Sequence, residues 1–392
     1  MWAWDDGEAA RANFEGTLVD LGSADLSALS GVVVSPGVPH TAPIFAAAAR
    51  ASVPVIGDIE LFAYAQSAMP PARVVGITGT NGKSTTTALV HHLCVSAGIP
   101  AAMGGNIGLP ILAQNPLPAG GVWVLELSSY QLEITHTLAC DISILINITP
   151  DHLDRHGTIA AYAGAKARLF VMQAAGSTAI VGRGAQAAFG VQCGPGRTLV
   201  IEDVALPSPQ ADWPALKGPH NLQNARAAIA AARVLGISDE AIAAGLASYQ
   251  ALAHRMEPLG EKRGLLWVND SKATNPDSTA PALTAYPRIH WIAGGRPKID
   301  TAGKADLGVV LPHLGGVVGA YVIGEAAPKF AEQLQGLVPV TQSGTLAQAI
   351  NDVLAAGHAG DAVLFSPAAA SFDQFKDFED RGNAFRAAVA AL

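Results

Sequence analysis

The segment Val74–Thr87 reads Val-Val-Gly-Ile-Thr-Gly-Thr-Asn-Gly-Lys-Ser-Thr-Thr-Thr. An apolar run enters a glycine-rich turn, and Gly82-Lys83-Ser84 opens a helical pattern. Glycines let backbone N–H groups approach phosphate oxygens, and a helix N-terminus favours an anion. In such a loop Lys83 reaches the β- and γ-phosphates of a nucleoside triphosphate and Ser84 holds Mg2+. The segment departs from the strict G-x-x-x-x-G-K-[ST] pattern, because Ile77 stands where the first glycine belongs, between Gly76 and Gly79. The competing reading is a strand–turn–helix whose glycines are incidental.

Other polar clusters carry chemistry of the same kind. Glu126 ends an apolar run and precedes Ser128-Ser129, and a carboxylate beside a phosphate loop suits Mg2+. Asn147-Ile-Thr-Pro-Asp-His-Leu-Asp-Arg-His156 follows another such run. His152 with Asp151 and Asp154 can be read as a zinc cluster, but near Glu126 a second Mg2+ suits it better. A capped helix start with solvated charges is the plainer alternative. Lysine is scarce, nine in 392 residues, and Lys83, Lys166, Lys272 and Lys298 lie in or beside these clusters, which argues for anion handling. His220 and His254 are candidate bases. The preferred reading makes His220 a helix start, with Asn221 and Asn224 offering amides to a purine edge.

These clusters need elements to hold them. Apolar runs at Val32–Val34, Val74–Ile77, Val122–Leu127, Ile142–Ile148, Leu265–Val268, Ile289–Ala293 and Ala362–Phe365 alternate with helical patterns such as Lys83–Ala97, Asn221–Leu235 and Gln374–Leu392. That alternation predicts parallel sheets flanked by helices, an α/β fold. Thr78, Glu126, Asn147, Asn269, Gly294 and Ser366 all sit just after strand-like runs, where ligands bind in open parallel sheets. The Pro-rich stretch Ser67–Arg73 and the weakly periodic Gln250–Gly260 mark boundaries near 68 and 252.

Half the chain is hydrophobic, 14% is charged and the net charge is −8, which excludes a disordered chain and gives no basic surface for nucleic acid. The three cysteines fit neither a disulfide framework nor a CxxC zinc pattern. No run of eighteen apolar residues is present, and the start MWAWDD is acidic where a signal peptide is basic. The expectation is a soluble cytoplasmic protein that does not insert into a membrane.

Together the clusters resemble the Mur ligase superfamily of ATP-dependent amide-bond-forming ligases, from about Ser35 to the C-terminus. The motifs that carry the resemblance are Ser35-Pro-Gly37, Gly79 to Thr85, Gly104-Gly-Asn-Ile-Gly108, Glu126-Leu-Ser-Ser-Tyr-Gln-Leu132 and Asn147 to Arg155. They continue with Gly218-Pro-His-Asn-Leu-Gln-Asn224, His254-Arg255, Asn269-Asp-Ser-Lys-Ala-Thr-Asn275, Ser366 to Phe375 and Arg381-Gly-Asn383. The resemblance implies a three-domain α/β architecture. Residues 1–68 form a partial uridine-diphosphate-binding domain. Residues 69–252 form a central P-loop ATP-binding domain. Residues 253–392 form a Rossmann-like domain for the incoming amino acid.

The resemblance also implies roles. ATP is held by Gly79, Thr80, Asn81, Gly82, Lys83, Ser84, Thr85, Asn224, Arg255, Asp270 and Lys272, and two Mg2+ ions by Ser84, Glu126, His152 and a carbamylated Lys166. Lys83, Lys166, His152 and Arg255 carry catalysis. Ser35, Pro36, Gly37, Asn106, Ser128 and Gln131 contact the nucleotide sugar, and Thr274, Lys298, Ser371, Phe372 and Phe378 surround the amino acid. Within the family the pattern is closest to the members that add D-glutamate to UDP-N-acetylmuramoyl-L-alanine through an acyl phosphate. The Asp-Asn-Pro-Arg motif of the diaminopimelate-adding members is absent. A monomer is expected. The alternatives are another Mur or folylpolyglutamate ligase with a different acceptor, and a P-loop nucleotide-binding module that ligates nothing. Met1–Asp6 resembles the second strand of the family's first domain, so the expectation is that the coding sequence begins upstream of Met1.

Overall fold

Strands buried on both faces have no polar side to present, and they read as continuous apolar runs. Arg73–Thr78, Val122–Glu126 and Ile142–Leu145 are of this kind, with almost every residue buried. The computed structural model describes residues 2–297 and 306–392, and it joins these runs into a parallel six-stranded sheet. The spatial order is 197–200, 178–181, 142–145, 73–78, 122–126 and 101–105. The chain enters at the fourth position of this order, runs out to one edge, then crosses to the other side. The direction of winding therefore reverses beside Arg73–Thr78, so the loops after that strand and after Ile142–Leu145 open a crevice between them.

The helices Lys83–Ser96 and Gly218–Val234 cover one face of this sheet. The second is rich in small residues, and Ala225, Ala228, Ala231 and Ala232 pack with Leu89, Val90 and Leu93 in one core. Pro219 sits in the first turn of the second helix, where its missing N–H costs nothing. That helix begins three residues before the expected Asn221.

A second six-stranded sheet follows, in the order 257–262, 265–269, 362–365, 289–294, 317–323 and 340–344. Its winding also reverses beside Leu265–Asn269, so Asn269–Thr274, Gly294–Arg296 and Ser366–Ser371 meet at one end. The weakly periodic stretch Gln250–Gly260 contains the start of a strand that its pattern did not announce. Glu257–Lys262 is an antiparallel edge strand against Leu265–Asn269, with a register shift between Pro258 and Gly260. One face of it is solvated, and an edge strand tolerates a proline, so its apolar pattern is weak.

The first 68 residues hold two separate strand pairs, Trp2–Ala3 with Thr17–Leu18 and Val32–Val33 with Val55–Ile56. Glu60, on the helix Asp58–Ala65, ties them to the central sheet. It is fully buried, and its carboxylate accepts from the His136 N–H (2.7 Å), the Thr137 N–H (3.0 Å) and the Thr137 hydroxyl (2.7 Å). Burial alone would raise its pKa, but these bonds outweigh that and hold it below the usual 4.5. Glu60→Ala leaves three part-buried donors without their acceptor and is expected to cost about 2–4 kcal/mol. Urea denaturation measures it, and a change below 0.5 kcal/mol would refute the anchor.

Candidate active site

Gly82 shows why the loop has this sequence. Its φ is +85°, and a Cβ there would lie 2.1 Å from Asn224 Oδ1. No other residue lets the loop pass that helix. The Asn147 carbonyl accepts the Thr80 N–H (3.0 Å), and Asn147 Oδ1 accepts the Asn81 N–H (2.9 Å). The Thr80 hydroxyl donates to the Thr149 carbonyl (3.1 Å) and accepts from the Thr149 N–H (3.0 Å) and from the Tyr162 hydroxyl (3.2 Å).

Two amines converge on this loop. Lys83 Nζ donates to the carbonyls of Gly79 (3.0 Å) and Thr80 (2.8 Å). Lys166 Nζ donates to the same Gly79 carbonyl (2.8 Å) and to Thr78 Oγ1 (3.4 Å), and lies 4.5 Å from the centre of the Tyr162 ring. Lys166 is 1% exposed. Its burial, and then the charge of Lys83, push its pKa well below the ordinary lysine value, although Asp151 and Glu126 pull the other way. Such surroundings favour the uncharged amine, a nucleophile, over the ammonium.

Glu126 is 2% exposed; its Oε1 accepts from Asn106 Nδ2 (3.0 Å), and its Oε2 is buried with no hydrogen-bond partner among the described residues. Ser84 Oγ accepts from Arg255 Nη2 (2.7 Å), and the Ser278 hydroxyl donates to Asn81 Oδ1 (2.7 Å). These two bonds join the central sheet's loop to the second sheet's lobe. Among the described residues no group of three or more His, Cys, Asp or Glu side chains is arranged to hold a metal ion. His152 takes a left-handed conformation, φ +53°; its Nδ1 lies 3.0 Å from the Tyr130 hydroxyl, and its side chain is 43% exposed.

On the second lobe, Asp270 Oδ1 accepts the Met256 N–H (3.0 Å) and its Oδ2 accepts the Ser366 hydroxyl (2.8 Å). Burial pushes Asp270 up to about 7 against those bonds. Lys272 Nζ lies 4.7 Å from the centre of the Phe378 ring, and burial, aided by Arg255, lowers it to about 8. Burial holds His220 down to about 4, so its ring is neutral at pH 7.

Two clefts meet at the loop. One, between the lobes, is lined by Asn81, Gly82 and Thr85 together with Asn224, Arg255 and Lys272. His220, in the first turn of the helix Gly218–Val234, lines it as well. The other, of about 480 Å3, is lined by Pro36, Lys83, Asn106, Ser128, His152 and Lys166, among others. Gly37 lines it too, while Ser35, exposed, is not among its lining residues. Gln131 belongs to this lining, but its amide oxygen accepts from the Ser128 N–H (3.1 Å) and hydroxyl (3.2 Å) in a capping box that starts the helix Ser129–Glu133. Both residues therefore shape the cleft while serving that helix.

Of the expected amino-acid contacts, Ser371 is buried, Phe372 is 61% exposed, and Thr274 and Phe378 are half-buried. Lys298 lies outside the described residues. Arg381, given no role above, organises this end. It is 1% exposed, and its guanidinium donates to Ser271 O (2.7 Å), Ser271 Oγ (3.0 Å) and Ala369 O (3.0 Å). The signal was present: Phe378, Arg381 and Phe385 share one helix face at i, i+3 and i+7, so the arginine sits in an apolar stripe. Tyr130, Tyr162 and Ser278 carried no comparable signal.

The model of the Mur ligase middle domain matches residues 77–190, and that of the Mur ligase, glutamate ligase domain matches residues 254–369. Among curated proteins, the UDP-N-acetylmuramoylalanine–D-glutamate ligase of Novosphingobium aromaticivorans is 55% identical over 99% of this chain and 88% of its own length. That of Sphingopyxis alaskensis is 53% identical over 100% and 91%. Among solved structures, MurF ligase from Thermotoga maritima in complex with ADP superposes with a TM-score of 0.64 at 16% identity, over 95% of this chain and 99% of that one.

Two outcomes follow from the geometry. Gly82→Ala meets both a left-handed backbone and Asn224, and is expected to lose about 1–3 kcal/mol of stability together with binding of inorganic tripolyphosphate. Retained binding by calorimetry would refute the cradle. Between pH 3.8 and 7 the folded protein keeps a proton on Asp270 that the unfolded chain has lost. This group therefore makes stability fall as pH rises, by up to about 4 kcal/mol. Asp270→Asn should flatten that slope in urea titrations at pH 5 and 8; an unchanged slope would place the proton elsewhere.

Proposed function

We infer that this chain, which belongs to the Mur ligase family and within it to the UDP-N-acetylmuramoylalanine–D-glutamate ligases, is an ATP-dependent ligase that joins D-glutamate to UDP-N-acetylmuramoyl-L-alanine. One observation carries the reading: the phosphate loop borders both clefts, with Asn81, Gly82 and Thr85 facing the first and Lys83 the second. A triphosphate in one can therefore meet a carboxylate in the other.

The carboxylate of the L-alanyl group is a poor electrophile. Its oxygen attacks the γ-phosphorus, ADP leaves, and an acyl phosphate results. The D-glutamate amine then attacks the carbonyl and phosphate departs. The first step brings two anions together, which needs fixed positive charge. Lys83 supplies it on the loop, and Arg255 supplies it from the second lobe, where it already reaches Ser84. The bonds Arg255–Ser84 and Ser278–Asn81 draw the lobes together over the loop, which keeps water from an intermediate that it would hydrolyse. Asn224, Asp270 and Lys272 are assigned to the nucleotide. Ser35, Pro36, Gly37, Asn106, Ser128 and Gln131 are assigned to the nucleotide sugar. Thr274, Ser371, Phe372 and Phe378 are assigned to D-glutamate, with residues 1–68, 69–252 and 253–392 as the three domains. All of these groups come from one chain, so a monomer suffices.

The buried, unpaired Glu126 Oε2 fits a hard cation, and oxygen donors suit Mg2+. Ser84, Glu126, His152 and Lys166 would hold two such ions, which when bound neutralise phosphate charge. An ammonium at Lys166 would repel them. A free amine held at this buried position can instead add to carbon dioxide and become a carbamate, an anionic oxygen ligand, and the lowered pKa of Lys166 supports that reading.

ADP release tests the function: it should require UDP-N-acetylmuramoyl-L-alanine and D-glutamate together, with L-glutamate inactive. Release without the nucleotide sugar would overturn it. Lys166→Ala is expected to be inactive, with part of the activity restored by acetate or formate. Full activity without rescue would remove the carbamate.

A further inference from the structure

Three polar atoms on residues lining the inter-lobe cleft are buried without a hydrogen-bond partner among the described residues: Tyr249 Oη, Arg255 Nε and His220 Nδ1. Buried polar groups are almost always paired, so each such atom calls for an explanation, and three around one cleft call for a common one. Arg255 and His220 already belong to the site. Tyr249 has no part in anything described above. It follows the helix Asp239–Ser248 and stands at the start of the connection to the second lobe. Its ring packs edge-on against His92, with centroids 5.6 Å apart, and the residue is 4% exposed. The charged group facing it is Arg255. Burial pushes the phenol up to about 12, so it keeps its proton and can donate.

The chemistry of the unpaired atoms narrows what can complete them. A guanidinium Nε–H only donates, and a phenol O–H beside a cation donates more readily than it accepts. Two neighbouring donors without acceptors fit a ligand rich in oxygen acceptors. In a purine nucleotide those are the ribose and phosphate oxygens rather than the amino edge of the base.

We propose that Tyr249 is a nucleotide-binding residue of this ligase, donating its phenolic hydrogen bond to an oxygen of the ribose–phosphate part of ATP beside Arg255. The proposal rests on the reading of the cleft as the ATP site. It also has a second consequence. In the free protein the hydroxyl is buried and unpaired, which is unfavourable. The same atom should therefore weaken the empty protein and strengthen the loaded one, whereas a merely structural tyrosine would strengthen both.

Tyr249→Phe keeps the ring and removes only the hydroxyl. Calorimetry with a non-hydrolysable ATP analogue should show Kd raised roughly ten-fold, with Kd for the nucleotide sugar and KM for D-glutamate unchanged. The Tm of the free variant should equal or exceed that of the wild type, while its rise on adding the analogue should be smaller. 2′-Deoxy and 3′-deoxy ATP separate the two acceptors. If a ribose hydroxyl is the partner, the penalty of Tyr249→Phe vanishes with the matching deoxynucleotide; if a phosphate oxygen is, the penalty persists with both. An unchanged Kd for the analogue overturns the proposal, and so does a free variant with a lowered Tm and an undiminished rise. A wild-type chain that does not bind the analogue at all overturns the nucleotide reading beneath it, a separate result because no substitution is involved.

Discussion

One asparagine holds the site in register. Asn147 leaves the end of the strand Ile142–Leu145 and takes the two N–H groups of the neighbouring phosphate loop, one on its carbonyl and one on its side-chain oxygen. Its remaining amide donates to Gln223 Oε1 (3.1 Å) on the long helix, and Gln223 Nε2 donates to Glu202 Oε1 (3.2 Å). The loop is thus fixed to the adjacent strand and to the helix that contributes Asn224. Everything aimed at the loop, from Lys166 on one side to Arg255 on the other, depends on that clamp for its distance to the phosphates.

The charged groups of the site share a second property. Arg381 is buried and Arg255 half-buried, yet among the described residues carbonyls and hydroxyls, not carboxylates, take their hydrogen bonds. Such an arrangement is expensive, since buried charge is ordinarily paired. A carboxylate partner would neutralise the site before an anionic substrate reached it. Arg381 differs in purpose: it ties the loop after Leu265–Asn269 to the loop after Ala362–Phe365 and to the Gly294 carbonyl at the end of Ile289–Gly294, so three strand ends present one surface.

Much of this was legible in the sequence because it follows from local rules. The parallel sheets followed from two-faced apolar runs such as Val122–Leu127, and the crevice from the polar residues just beyond them. The phosphate loop was readable because only glycine fits beside Asn224 at position 82. Less legible were features set by long-range packing. Glu257–Lys262 is half solvated, carries a proline and a glycine, and gives no strand signal, yet it pairs along its length. Ser128 and Gln131 read as substrate contacts, although their Ser-x-x-Gln spacing is a local capping-box signature and they serve their own helix. Tyr162 and Tyr130 become part of the site only because their helices turn them toward Thr80 and His152. Arg381 was discernible only as a charge in an apolar stripe.

The edge position of Glu257–Lys262 also governs traffic. The chain crosses from the central lobe to the second lobe once, along 249–256, and enters the second sheet at its outermost strand. A crossing that fed a middle strand would have laid the polypeptide over the ends of Leu265–Asn269, Ile289–Gly294 and Ala362–Phe365. Entry from the side instead sets 254–256 along one flank of that mouth, where the Met256 N–H meets Asp270 and the His254 carbonyl accepts the Lys272 N–H, so the connection between the lobes becomes one wall of the opening.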